Sequence, residues 1–290
     1  MKILVTGSKG QLGSELQELA PEFSKYHFTF IDLNELDLTD EKNTAIFFQA
    51  NSFEGIIHCA AYTAVDTAEK ERIQAFALNA TVPKRLSEIA RINNMWIVHI
   101  STDYVFDGFT FKPYSEEDQV NPLSIYGRSK FEGETALMYS KARGVILRTS
   151  WLYSSFGNNF VKTILNKARL GGDLRVVFDQ VGTPTYARDL ALTILTILPE
   201  INNMKKIGLF HYSNEGVCSW YDFAKAITEL GGISCPILPI ESKEYPTPAA
   251  RPLYSVLTKS KVKKQFGIQI PYWRESLKDC IEKLYTSVTL

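Results

Sequence analysis

The chain has 290 residues, 45% hydrophobic and 22% charged, with 32 basic side chains against 32 acidic ones. That composition supports a sizeable core and excludes a disordered or fibrous chain. The balanced charge offers no global field for nucleic acid or an anionic membrane, and no run nears the ~18 apolar residues of a membrane span.

Along the chain, short apolar runs alternate with helical patterns. Lys2–Thr6 reads as a strand ending in glycines, and residues 10–20 follow as a helix with Leu12, Leu16 and Leu19 on one stripe. Strands are predicted over His27–Ile31, 55–60, 95–101 and 145–149, with helices over 39–50, 75–93 and 126–141. Several of these strands are apolar on both faces, which predicts an α/β fold with a doubly wound parallel sheet of the Rossmann type. After about Ser150 the rhythm loosens: helices over 158–170, 188–198, 220–230 and 275–285, strands over 174–178 and 208–213, and an irregular stretch at 236–252 because of its five prolines (Pro236, Pro239, Pro246, Pro248, Pro252). The expected plan is a nucleotide-binding part of 1–150 plus about 187–208, and a smaller α/β C-terminal substrate-binding domain of about 151–186 and 209–290.

Cys59, Cys218, Cys235 and Cys280 form no Cys-x-x-Cys pair and the histidines are scattered, so neither structural zinc nor a disulfide framework is expected. Met1 to Thr6, with one lysine and a few apolar residues before Gly7, is shorter than a secretory leader, and a cytoplasmic location is expected.

Thr6-Gly7-Ser8-Lys9-Gly10-Gln11-Leu12-Gly13 places glycines three apart where the first strand passes into the first helix. A bound pyrophosphate needs backbone N–H groups, close approach without a Cβ and the positive end of a helix dipole, and this turn offers all three. Asp32 follows the second strand, about twenty residues on, where a carboxylate meets a ribose 2′-hydroxyl. It favours NADH over NADPH, although Lys9 in the glycine loop can offset it, so the cofactor is NADPH or NADH. Asp37 and Leu38 are placed beside the adenine, and Asp37 fits loop polarity equally well.

Tyr126 and Lys130 stand at i and i+4 on one helix face. A ketone that accepts a hydride needs a proton donor, and a nearby ammonium can depress a phenol from about 10; a shift of ~3 units corresponds to ~4 kcal/mol. Thr102, at the end of a strand, supplies a hydroxyl to the same network. Tyr221 and Lys225 repeat the spacing, but no strand ending in Ser-Thr precedes them, and helix packing is expected there.

The glycine turn, Asp32, Ala60-Ala61-Tyr62-Thr63, the run Ser101-Thr102-Asp103-Tyr104-Val105-Phe106-Asp107-Gly108, and the Tyr126/Lys130 pair together resemble the extended short-chain dehydrogenase/reductases. Within them the sequence is similar to the dTDP-4-dehydrorhamnose reductase family, through Thr63-Ala-Val-Asp66, Arg148-Thr-Ser-Trp151, the segment from Gly157 to Phe160, and the stretch from Pro246 to Pro252. The resemblance implies reduction of the C4 ketone of a dTDP-sugar by NAD(P)H. It implies that Gly7, Gly10, Gln11, Leu12, Gly13, Asp32, Asp37, Leu38, Ala61, Tyr62 and Thr63 line the cofactor, with Tyr126 and Lys130. It places Thr102, Asp103, Trp151, Asp66, Glu69 and Arg251 at the sugar nucleotide. Some relatives dimerise through magnesium held by glutamates. Glu15 matches one such ligand, but Arg188 stands where another is expected, so no metal is expected and a homodimer is left open. A non-catalytic regulatory subunit of the methionine adenosyltransferase type and a sugar-nucleotide epimerase or dehydratase are the rival readings; the intact Tyr126, Lys130 and Thr102 speak against the first, and the Asp103-Tyr104 pair, lacking a glutamate, against a dehydratase.

Overall fold

The computed structural model describes residues 1–286. The first half runs β1 (Lys2–Thr6), α1 (Gln11–Leu19), β2 (His27–Ile31), α2 (Glu41–Ala50), β3 (Gly55–His58), α3 (Val65–Ala68), α4 (Arg72–Phe76), α5 (Val82–Ile92), β4 (Trp96–Thr102), α6 (Ile125–Tyr139) and β5 (Arg143–Thr149). The second half adds β6 (Leu152–Tyr153), α7 (Phe160–Leu170), β7 (Leu174–Val177), β8 (Val181–Gly182), β9 (Thr185–Tyr186), α8 (Ala187–Thr196), α9 (Leu198–Asn202) and β10 (Ile207–His211). It ends with β11 (Cys218–Ser219), α10 (Trp220–Leu230), β12 (Ile237–Ile240), α11 (Ser260–Phe266) and α12 (Trp273–Thr286).

Six strands form one parallel sheet in the order β10-β5-β4-β3-β1-β2. The strand order reverses between β1 and β3, and in such sheets ligands bind in the crevice beyond the carboxyl ends of the strands at that point. Alternate side chains serve two cores. Ile3, Val5, Ile57, Val98 and Leu147 pack with Leu12 and Leu16 of α1 and Leu190 and Ile194 of α8. Leu4, Ile56, Ile97 and Ile146 pack with Leu86 of α5 and Leu137 of α6. A third core, around Tyr153, Ile164, Phe223 and Leu277, holds the C-terminal half together. Strands buried on both faces explain the continuous apolar runs of the sequence.

Several expectations are corrected. β10 is the edge strand of the large sheet, so residues 209–211 lie in one sheet with β1–β5. The stretch 236–252 is not wholly irregular: Ile237–Ile240 pairs in parallel with β7, and Pro239 is tolerated because the pair has an open edge. The helix expected over 75–93 begins at Arg72 and is interrupted by a π-helical turn at Ala77–Thr81, ahead of Pro83 in the first turn of α5. The strand expected over 55–60 ends at His58, freeing Cys59 and Ala60 to border the cleft.

Candidate active site

The turn after β1 is shaped by contacts that forbid side chains. Gly7 has φ +67°, and a Cβ there would lie 2.5 Å from the Ala60 nitrogen; a Cβ on Gly13 would lie 2.2 Å from the Gly7 carbonyl oxygen. The backbone therefore approaches the carboxyl end of β3 closely and α1 packs tightly on the turn, leaving a concave lip at the helix N-terminus. Asp32 at the end of β2 accepts hydrogen bonds from the Lys9 N–H (2.8 Å) and the Leu33 N–H (2.8 Å), which tie the second strand to the glycine loop. A pyrophosphate-linked dinucleotide fits this cradle: the missing Cβ atoms, the helix N-terminus and the carboxylate lie where its phosphates and ribose need them.

From this lip a cleft of about 780 Å³ runs across the carboxyl edge of the sheet. Gly7, Gly10, Gln11, Leu12, Gly13, Asp32, Asp37, Leu38, Ala61 and Thr63 line it, together with Thr102, Asp103, Tyr126, Lys130, Trp151 and Arg251. Helix α6 carries the central pair. Its N-terminus is capped by the Ser124 hydroxyl, which accepts from the Gly127 N–H (3.1 Å), and by Glu69 Oε1, which accepts from the Ile125 N–H (2.8 Å). These acceptors satisfy orphan donors and complement the helix dipole.

The Lys130 ammonium, almost fully buried, donates to the Ile100 carbonyl at 2.6 Å. Burial lowers its pKa to about 8, against the opposing pull of the Glu134 carboxylate. The Tyr126 phenol shares a hydrogen bond with the Thr102 hydroxyl and packs edge-on against Tyr104, ring centroids 5.5 Å apart. The expected depression of this phenol is corrected: burial pushes it well up and the Thr102 hydrogen bond only partly offsets this. Desolvation outweighs any help from Lys130 because the ammonium is turned to the Ile100 carbonyl. Asp103, buried beside Thr102, is raised by burial to about 6.

A second cavity of about 550 Å³ adjoins the cleft and shares Tyr104, Trp220 and Arg251 with it. Lys167, Arg175, Gln180 and Tyr245 come from the C-terminal half to line it. At the junction the Trp151 and Trp220 indoles stack, with centroids 3.7 Å apart and planes 11° from parallel. Arg251 spans the same junction, donating to Asp66 Oδ2 (2.7 Å) and to the Tyr104 hydroxyl (3.0 Å).

Residues 1–286 match the family model described as the RmlD substrate binding domain. A dTDP-4-dehydrorhamnose reductase from Aggregatibacter actinomycetemcomitans is 40% identical over 289 residues, spanning 96% of this chain and 97% of that protein. The chain belongs to the dTDP-4-dehydrorhamnose reductase family. The crystal structure of such a reductase from Clostridium acetobutylicum aligns with a TM-score of 0.93 at 43% identity, covering 98% of this chain and 100% of the other. The Bacillus anthracis reductase, in complex with NADP, aligns with a TM-score of 0.91 at 37% identity, covering 97% and 99%.

Against that family pattern, two residues expected at the site lie elsewhere in this reductase. Tyr62 is outside the cleft wall; its hydroxyl donates to Glu71 (2.6 Å) and its ring packs with Ala68, Ala75 and Ile125. Glu69 is used as the α6 cap and does not border the cleft. Asp66 meets the site through Arg251. Trp220, Asn159 and the second cavity were not singled out from sequence. The Asn159 amide donates to Gln11 Oε1 (3.0 Å) and its side chain caps α7 through the Lys162 N–H, a double role no local pattern reveals. Tyr221 packs in the C-terminal core and Lys225 is exposed, away from the cleft.

The residues around Glu15 do not fit a divalent cation. The fully buried carboxylate accepts from the Ser154 hydroxyl (2.6 Å) and meets Lys283 Nζ at 3.1 Å and Arg188 Nη1 at 3.5 Å. Two cationic side chains stand where a metal would need anionic ligands. Among the described residues no group of three or more His, Cys, Asp or Glu side chains converges.

Proposed function

We propose that this reductase uses NADPH or NADH to reduce the C4 ketone of dTDP-4-dehydro-6-deoxy-L-mannose to dTDP-L-rhamnose. The observation that carries this reading is the convergence of Tyr126, Lys130 and Thr102 on a cleft that begins at a side-chain-free helix N-terminus. A bound reduced nicotinamide supplies the hydride. Gly7, Gly10 and Gly13 admit the pyrophosphate, Asp32 receives the adenosine ribose, and Asp37 and Leu38 border the adenine end.

Tyr126 donates its phenolic proton to the ketone oxygen as charge develops there, and Thr102 donates to the same oxygen or orients the phenol. A buried neutral phenol holds its proton until that charge appears, so the site is silent without substrate. Lys130 supplies the positive charge that favours the phenolate left behind. The second cavity takes the dTDP group: Lys167, Arg175 and Arg251 present cations to the diphosphate, while Trp220 and Tyr245 offer faces to the base. Binding energy from this remote group positions the keto sugar for transfer. A regulatory subunit has no use for such a proton donor.

The same reading assigns 1–150 with about 187–211 to the cofactor and the remainder to the sugar nucleotide. It makes the protein cytoplasmic, free of nucleic-acid and membrane partners, and open to forming a homodimer. Among the described residues no helix is long and apolar enough to cross a membrane. The test is cofactor oxidation by purified protein with dTDP- and GDP-linked 4-keto sugars, each with NADH and NADPH. Multiple turnovers with the dTDP sugar support the reading. Consumption that stops at one equivalent points to an epimerase or dehydratase, and none at all to a binding subunit.

A further inference from the structure

Strand alternation puts a row of polar side chains on the sheet face beneath α6. Thr6 pairs in register with His58, His58 with His99, and Ser101 with Arg148. All are buried in a face otherwise made of Leu4, Ile56, Ile97 and Ile146. His58 and His99 stack with ring centroids 5.4 Å apart, and burial keeps both neutral at physiological pH. Arg148 and Glu134 close the row. Arg148 Nε donates to Glu134 Oε1 (2.9 Å) and Nη2 to Oε2 (2.7 Å), with both side chains only 3% exposed. The guanidinium also lies over the Phe106 ring, 5.1 Å from its centroid.

A buried ion pair seldom adds stability over an apolar pair of the same volume, so one this well formed calls for another role. Glu134 stands one helical turn beyond Lys130 and two beyond Tyr126, on the same face of α6. We propose that Glu134, clamped by Arg148, is a positioning residue that keeps the Lys130 side chain in its charged form and fixes the rotation of α6 that presents Tyr126 and Lys130 to the cleft.

The charges around Lys130 support this. From β3 and the residue after it come His58 and Cys59, and from β4 His99; the imidazoles are neutral and the Cys59 thiol is held protonated by burial. The turn after β4 brings Asp103 and Tyr104, α3 is followed by Glu69 at the helix N-terminus, β5 brings Arg148 against Glu134, and Asn79 before α5 bonds to the neutral Tyr62 backbone and Ser129 hydroxyl. Burial depresses Lys130, and the negative charge of Glu134, one turn along the same helix face, opposes it. Loss of the carboxylate lets the ammonium surrender its proton at lower pH.

The kinetic arm of the test rests on the reductase reading; a binding arm does not. The pH dependence of NADPH affinity, followed by cofactor fluorescence, and of kcat/KM is compared for the full-length protein, Glu134→Gln, and the paired variant Glu134→Leu with Arg148→Met. In the wild type both quantities fall as pH rises through the Lys130 titration. In Glu134→Gln that limb moves about one pH unit lower, a ~10-fold loss on the alkaline side. The paired variant removes the stranded guanidinium and recovers thermal stability, yet its limb stays displaced; it also decides the matter if Glu134→Gln fails to fold. Wild-type limbs in both variants, with only the melting temperature changing, overturn the proposal and leave the pair as a strut. Cofactor binding without turnover in the wild type fails the functional reading alone, and the affinity profile still decides the role of Glu134.

Discussion

The indoles of Trp151 and Trp220 stack across the seam between the two halves of the molecule, one from the strand end after β5 and the other from the start of α10. Trp151 reaches this position with φ +49°, a conformation that bulky L residues rarely adopt. Such strain persists only where the surroundings over-determine it, and functional sites are where it gathers.

Trp220 therefore serves both as a joint and as a wall of the two cavities. Trp220→Ala is expected to raise the KM for the sugar nucleotide ~10-fold while leaving the KM for NADPH unchanged, and to cost ~1 kcal/mol of stability from the lost ring pair. Steady-state kinetics with each substrate varied in turn, beside thermal melts, measure both effects.

Arg251 is held by Asp66 and Tyr104 before any substrate arrives, so it is preorganised at the mouth shared by the two cavities. Arg251→Ala is expected to lower kcat/KM for the dTDP sugar ~100-fold, about 2.7 kcal/mol, with cofactor affinity intact. Arg251→Lys recovers only part of this, because a point charge does not reproduce the fork of the guanidinium. Equal losses for cofactor and sugar would remove Arg251 from the sugar-nucleotide site.

Much of this was legible in the residues. Strands buried on both faces announce a parallel sheet, and a glycine turn between strand and helix announces a close backbone approach, because each follows from local geometry. Partners brought from distant parts of the chain were not legible. Glu69 looks like a carboxylate facing substrate until α6 arrives to use it as a cap, and Tyr62 turns from the cleft because Glu71 and an apolar cluster claim it. The Ile237–Ile240 strand hides among prolines because its pairing partner, not its own propensity, decides its conformation. The Tyr126 phenol is raised, not lowered, since the sequence shows a lysine nearby but not how deeply the pair is buried.

Asp32 accepts two backbone hydrogen bonds and borders the cleft beside the glycine turn. Asp32→Ser is expected to shift the ratio of kcat/KM values toward NADPH by ~10-fold, since a 2′-phosphate would no longer meet a negative charge. The ratio measured at constant ionic strength checks this.

Three buried imidazoles resist protonation in the native state. Burial lowers His58 and His211 to about 3 and His99 well below its ordinary value. As pH falls below about 6.5, the unfolded chain takes up protons that the native state refuses, so stability drops by up to ~1.4 kcal/mol per pH unit for each histidine. Asp103 acts in the opposite sense: its native value of about 6 lies above 3.8, so acid relieves its burial between those two pH values. Denaturant melts from pH 7 to pH 4 should show net destabilisation, with a smaller slope in His99→Phe.

Proton donation by the Tyr126 phenol is the step on which the proposed reduction turns. Single-turnover oxidation of bound NADPH by dTDP-4-dehydrorhamnose, in wild type and in Tyr126→Phe, measures it most directly. The transfer step is expected to slow ~10²–10⁴-fold in the variant, with the Kd for NADPH within about twofold of wild type. A variant that reduces the ketone at the wild-type rate would contradict it.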